Sequence, residues 1–519
     1  MTAGAGRCLA SSLALFVCAG LLGPSAAQPP LPQRNRWLPP YWISADPSPW
    51  LVTALLLAAI GLAVAGLVLG LRSLAGGWRP DPGRLSALGL VAAVAMILVP
   101  PMGSADVLVY AAYGRIASLG GDPYRQTASD LAATGDPIGR AVEAPWQHTT
   151  SIYGPLGTAE QWLAARLGDD STHATVFALA TLGALAFVLT GLILDRLAAA
   201  RSADPAAART RVALLWSLNP LLLYEVVNGA HIDSIGILFA VGGLALVSRS
   251  ALLAGLAVGL AIDVKLSFGL FALALVWALR RAPRRLLALA AGGLFATGLG
   301  YAWTGLHAFG QAGTASRFVS FASPWRLLVA PLEAVLDDRL ARNVITVLAW
   351  LAFALVTLLL AHSLPAAVGT AAGANGAAEA TRSVGSPAGS GGLDDPTAVA
   401  IRAAAALGLA WLLTATYSLP WYDVIAWAPF ALLAASRWDW LLIARTGVLA
   451  AAYVPGRVVP LPAVLNQITK QLRGAVAPVL GVALIGIIVR WSGLPWHRRQ
   501  APTEPQPPGT PRGSEPPNR

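Results

Sequence analysis

Charge is scarce in this chain: of 519 residues only 12% are Asp, Glu, Lys or Arg, about half the share of a soluble globular domain. So few charges cannot clothe a water-facing surface of this size, which excludes a soluble enzyme or a string of soluble domains. Cysteine is scarcer still, with Cys8 and Cys18 as the only two, both inside the first apolar stretch. They leave nothing for a disulfide framework or a thiolate metal site. Lysine is nearly absent as well, Lys265 and Lys470 being the two, so the net charge of +11 rests on arginine. Those arginines lie in short clusters between apolar stretches, which suits membrane topology and offers nucleic acid no continuous basic surface.

What the chain has instead is apolar sequence, 56% of it, with a mean hydropathy of +0.62. Windows of ~20 apolar residues predict fourteen helices, near 8–23, 50–71, 85–103, 173–194, 211–227, 232–248, 250–263, 265–279, 285–303, 343–362, 399–416, 422–436, 438–455 and 474–492. The short windows beside Arg249 and Val264 merge or re-enter in a lower count, which gives a range of about 12–14. The predicted fold is therefore all-α, a polytopic transmembrane helix bundle. Its first segment, 1–30, reads as a transmembrane helix, although Arg7, the apolar run and Pro24-Ser25-Ala26-Ala27 also have the form of a signal peptide. A transmembrane core over 49–362 follows. Residues 363–398, rich in Ala, Gly and Ser, read as a flexible cytoplasmic linker to a second set of helices over 399–495. The Pro-rich tail, 496–519, is disordered by composition.

With a cytoplasmic N-terminus, the inside turns carry Arg72, Arg79 and Arg84, then Arg196, Arg201, Arg209 and Arg211, then Arg249, then Arg280, Arg281, Arg284 and Arg285, and finally Arg498 and Arg499. This ladder obeys the positive-inside rule. The outside then holds the long segment 104–172 after the third helix, a second segment 304–342 and several tight turns. Ionisable groups at a membrane edge are costly, so they read first as functional.

Asp106, just past the third helix, has the position and chemistry of a general base that takes a proton from a sugar hydroxyl; helix capping with Ser104 is its alternative reading. The run Glu225, Asn228, His231 and Asp233 supplies polar groups for a phosphate head group. A divalent cation held by His231 and Asp233 is a further possibility. Lys265 interrupts an apolar stretch as a compact cation suited to one phosphate oxygen, with snorkelling or a pair with Asp263 as its plainer explanation. Arg317, in a basic and aromatic segment, can reach a lipid phosphate or simply anchor at the interface. Tyr153, Trp421 and Tyr422 suit head-group depth and also stack on sugar rings. Asp423 reads as a helix cap more readily than as a site carboxylate.

Several short motifs keep a common order: Ser104-Ala105-Asp106-Val107-Leu108-Val109-Tyr110, Gly121-Asp122-Pro123-Tyr124, Tyr153-Gly154-Pro155-Leu156, Asn219-Pro220, Gly229-Ala230-His231-Ile232-Asp233, Lys265 and Pro420-Trp421-Tyr422. In this the chain resembles the actinobacterial polyprenol-phosphate-mannose-dependent α-1,6-mannosyltransferases of the GT-C superfamily, from about residue 85 to 455. The resemblance implies a GT-C-like bundle that transfers a sugar, with inversion, from a polyprenyl-phosphate donor to a glycan or lipoglycan acceptor outside the plasma membrane. It implies no cofactor beyond a weak metal dependence at most, and it puts the family's acidic residue on Asp106. Donor phosphate would meet Lys265, Arg317 and His231, and Tyr110, Asp122, Tyr124, Tyr153, Asp233, Trp421 and Tyr422 would line the substrate. A lipid-linked sugar flippase is the competing expectation; it calls for an internal repeat, and none is visible. A scaffold subunit is the third, under which Asp106→Asn leaves transfer intact.

Overall fold

The computed structural model describes residues 3–32, 37–309, 318–367 and 395–492. Most of the linker expected over 363–398, the tail 496–519 and Arg317 lie outside the described residues. Among those described there is no β-strand, and the chain is an all-α polytopic bundle. Its principal helices are α1 (Ala3–Leu21), α2 (Pro49–Ala75), α3 (Pro82–Ile97), α4 (Asp106–Ser118), α5 (Pro155–Gly168), α6 (Thr172–Arg201), α7 (Asp233–Leu246), α8 (Ala251–Val264), α9 (Gly269–Leu279), α10 (Pro283–Thr304), α11 (Asp338–Ser363), α12 (Pro396–Thr414), α13 (Trp438–Tyr453) and α14 (Ala477–Trp491). Among the described residues seven helices are long and apolar enough to cross a membrane, counting α14 together with the helical stretch 463–476 before it, and shorter apolar helices lie between them.

Local chemistry sets the ends. Ser48, Asp81 and Asp395 accept backbone N–H groups at the starts of α2, α3 and α12, each followed by a proline in the first turn, where its missing N–H costs nothing. Pro100-Pro101 stops α3 short of its apolar window. The rod predicted over 211–227 is broken at Leu218-Asn219, because Pro220 cannot continue the preceding helix; Asn219 Oδ1 instead accepts the Leu221 N–H at 3.1 Å and restarts it.

The packing is that of a protein whose solvent is lipid. Leu294 and Leu299 on α10 are 72% and 65% exposed, and Leu358 on α11 is 69% exposed; so apolar an outer face belongs against acyl chains. Inside, helices approach closely where side chains are small. A Cβ added to Gly259 of α8 would lie 2.7 Å from the Gly293 carbonyl of α10, so only glycine allows that contact.

Polar contacts gather at two opposite ends. At one, Arg79 meets Asp204 (3.0 Å), Arg209 meets Asp195 (2.9 Å), and Asp395 receives both Arg201 and the Ser248 hydroxyl. Trp438 donates to the Ser363 carbonyl at this same end (3.2 Å). These contacts join the turns that the arginine ladder puts together. Arg211 differs from the other described arginines of that ladder: it is buried, gripping Asp439 through two bonds of 2.9 and 2.6 Å.

At the other end the segment after α3 is not a loop. It folds into α4, two short helices and α5 around a core of its own, in which Val107, Leu108, Ile116, Leu131, Ile138, Ala164 and Leu179 are buried together. Residues 22–32 thread through this end: the Gly103 N–H donates to the Ala27 carbonyl (3.2 Å), and Arg457 reaches the Ser25 and Gln28 carbonyls while pairing with Glu143.

Candidate active site

Asp106 is the first residue of α4, but it does not cap that helix. Ala105 occupies the cap position without a side-chain bond, and the Ser104 hydroxyl accepts the Asp106 N–H at 3.0 Å. The carboxylate is thereby left for other work. Protein crowds it on every side while a strip stays accessible, and among the described residues no cation pairs with it directly; Lys265 acts on it through space. Burial pushes its pKa up to about 6, against the smaller opposing effects of the Ser104 hydroxyl and the Lys265 charge.

One turn along α4, the buried Tyr110 shares a hydrogen bond of 3.1 Å with His231 Nδ1 and meets the Tyr153 ring edge-on at 5.2 Å. His231 lies flat on Trp421, with ring centroids 3.8 Å apart and planes 11° from parallel. Lys265 Nζ lies 3.0 and 3.2 Å from the two Asp233 oxygens and 3.7 Å over the Tyr422 ring. Asp106, Tyr110, Tyr153, His231, Asp233, Lys265, Trp421 and Tyr422 thus form one cluster, drawn from five stretches of chain.

Structural causes account for some of the motif residues. Gly154 donates its N–H to the Val264 carbonyl (3.1 Å) and packs so tightly on the Asp263 backbone that no Cβ fits, which locks the Tyr153 turn onto the Lys265 turn. Asn228 accepts the Met102 N–H (3.0 Å) and donates to the Met96 and Pro100 carbonyls (2.9 and 3.1 Å), fastening the end of α3 and the connection that leads to Asp106. Lys265 pairs with Asp233 rather than with its near neighbour Asp263, which turns towards Gly300 and Tyr301.

Asp122 and Tyr124 belong to a second group. Asp122 contacts His307 (2.8 Å) and Arg125, while the Tyr124 hydroxyl bonds Thr158 (2.7 Å) and its ring meets His307 edge-on. Among the described residues no group of three or more His, Cys, Asp or Glu side chains is placed to hold a metal ion. His231 and Asp233, the pair considered for a cation, are engaged with Tyr110 and Lys265.

Sequence reasoning gave no site role to Tyr417, Trp411, Arg445 or Tyr453, which reach the cluster from the C-terminal part of the chain. Tyr417 and Tyr453 lie within electrostatic reach of Asp106, Trp411 stacks on Tyr422 at 5.7 Å, and Arg445 pairs with Asp423. Arg445 is a buried cation within an apolar helix, and that alone was a signal.

Comparison with known proteins finds a match, over residues 7–281, to the family described as "Alpha-(1->6)-mannopyranosyltransferase, N-terminal domain". That stretch begins before the first motif and stops short of Pro420-Trp421-Tyr422. The chain is 28% identical over 187 residues to alpha-(1->6)-mannopyranosyltransferase A of Corynebacterium glutamicum, covering 36% of each. To a probable alpha-(1->6)-mannopyranosyltransferase of Mycolicibacterium smegmatis it is 30% identical over 183 residues, 34% of this chain and 31% of that one. Alpha-(1->6)-mannopyranosyltransferase B of C. glutamicum is 28% identical over 156 residues, 29% of this chain and 24% of its own length. The matched stretches thus span at most 36% of these relatives. No solved structure matches.

Proposed function

Because the chain belongs to this alpha-(1->6)-mannopyranosyltransferase family, we propose that it moves mannose from a polyprenyl-phosphate donor to a cell-envelope glycan or lipoglycan, at the outer face of the plasma membrane. The observation that carries this reading is the presence of an available carboxylate, Asp106, and a largely enclosed cation, Lys265, in one aromatic-walled cluster at one end of the bundle.

The chemistry is a single displacement. An acceptor hydroxyl attacks the anomeric carbon of the donor mannose and gives its proton to Asp106. The bond from that carbon to the phosphate oxygen breaks, its electron pair leaves with the phosphate, and the configuration inverts. Lys265 is held by Asp233 and Tyr422, so its ammonium is already aimed when charge gathers on the leaving phosphate; such preorganised charge is the largest single contribution in many enzymes. His231, fixed by Trp421 and Tyr110, offers its ring to the same group, and Arg317 is the second cation proposed for it from the sequence. Tyr153, Trp421 and Tyr422 are the aromatic contacts for substrate in the cluster, and Asp122 and Tyr124 are further substrate contacts in their separate group. No nucleotide is required, since the donor carries its own phosphate.

The outer-face assignment rests on the ladder of arginines at the end opposite the cluster. Membranes containing the protein, given radiolabelled polyprenyl-phosphate mannose and an oligomannoside, should transfer label. Asp106→Asn should lower the rate by about 100-fold or more, as loss of a general base does. Transfer at the wild-type rate by Asp106→Asn removes that residue from the role, and label that crosses the membrane without being transferred identifies a flippase.

A further inference from the structure

The turn that presents Trp421 and Tyr422 is anchored from below by a buried ion pair to which the proposed reaction assigns no part. Asp423 stands at the start of the helical segment 424–431 but makes no capping bond. It pairs instead with Arg445 of α13, the two side chains being 0% and 6% exposed. The second Asp423 oxygen accepts the Thr446 hydroxyl, and Thr446 in turn accepts the Trp427 indole N–H at 2.9 Å. Arg445 Nη2 donates to the Leu412 carbonyl (3.1 Å) and to the Ser418 hydroxyl (2.6 Å). From the other side the Ser418 N–H donates to the Ser320 hydroxyl (3.2 Å), which returns a bond to the Ser418 carbonyl. One guanidinium therefore ties the end of α12, the middle of the turn and its last residue to a single point on α13.

Such a pair is a poor source of stability, because desolvating two charges consumes most of what their attraction returns. Its geometry accounts for it better. Among the described residues, the hydrogen-bond and ion-pair partners of Arg445 all belong to the end of α12 or to the turn ending at Asp423, and that turn places Trp421 on His231 and Tyr422 under Lys265. A turn free to shift by an ångström would unstack both.

We propose that Arg445 is a positioning residue for the donor-phosphate end of the site, acting through Asp423 and Ser418 to hold Trp421 against His231 and Tyr422 against Lys265. This rests on the proposed transferase reading for its kinetic consequence, though not for its structural one.

Two measurements test it. In membranes, the charge-free pair Arg445→Met/Asp423→Asn, which strands no buried charge, should raise the donor KM by about tenfold while the acceptor KM holds, and Arg445→Lys should fall between it and the wild type. If the pair merely supports folding, the yield of folded protein drops and both KM values stay at wild type, which overturns the proposal. The second readout needs no activity. With Cys8 and Cys18 changed to Ser, a Leu419→Cys probe, at a position 7% exposed, should react with a maleimide about tenfold faster once Arg445→Met/Asp423→Asn releases the turn, as local opening predicts. An unchanged labelling rate refutes the anchoring. Wild-type membranes that transfer nothing refute the transferase reading instead, and the labelling rate still decides the role of Arg445.

Discussion

In the proposed reaction Asp106 is the residue on which the chemistry turns, and its environment would set a pH dependence. A base must be unprotonated to work, and burial lifts this carboxyl to about 6. The acid limb of kcat/KM should therefore fall through about pH 6 and lie flat above it. Ser104 opposes the effect of burial, so Ser104→Ala should move that limb to higher pH. A limb that does not move when Ser104 is changed would mean that another group titrates. Asp106, His231 and Lys265 stood out in the sequence because each is a polar residue interrupting apolar surroundings, where its cost demands a reason; the structure gathers them into one cluster. What Asp423 does was not legible. As a lone Asp before a helix it reads as a cap, and the arginine that claims it lies on another helix, 22 positions further along the chain.

At the scale of elements, apolar windows found the helices because the length needed to cross a bilayer is a property of sequence alone. They failed where short helices use tertiary contacts. The helices α4 and α5 are too short and too polar to register as spans, and they fold because Val107, Leu108 and Ile116 pack against Leu131, Ile138, Ala164 and Leu179. The first segment is the opposite case, since its sequence allowed both a signal peptide and a permanent helix. In the fold α1 is core: Phe16 stacks on Tyr224 at 4.3 Å, the Ser12 hydroxyl donates to the Ala59 carbonyl at 2.7 Å, and Ala27 is fully buried beside Gly103. Cleavage after Ala27 would strip that packing from the end of α3 and the connection that leads to Asp106. Intact-mass analysis of the purified protein should find α1 present; a mature N-terminus at Gln28 would show that the bundle forms without it.

The whole molecule is ordered by alternation. Helix after helix returns the chain to the same two ends, so residues as far apart as Asp106 and Tyr422 share a cluster, while Arg79, Arg201 and Arg209 share the opposite end. The arginine ladder made this parity legible, because lysine and arginine retained on one side leave a regular trace in the sequence. How the cluster closes was not legible, since it depends on stacking, pairing and turn geometry between segments 32 to 190 residues apart. The claim that this end faces outward is tested most directly by labelling intact cells with a membrane-impermeant maleimide, in a background where Cys8 and Cys18 are Ser. A cysteine at exposed Ala133, at the same end of the bundle as the cluster, should react from outside, and one at exposed Ala203, beside the arginines, should react only after the cells are opened. Labelling of position 203 in intact cells with position 133 protected would put the cluster in the cytoplasm and contradict transfer at the outer face.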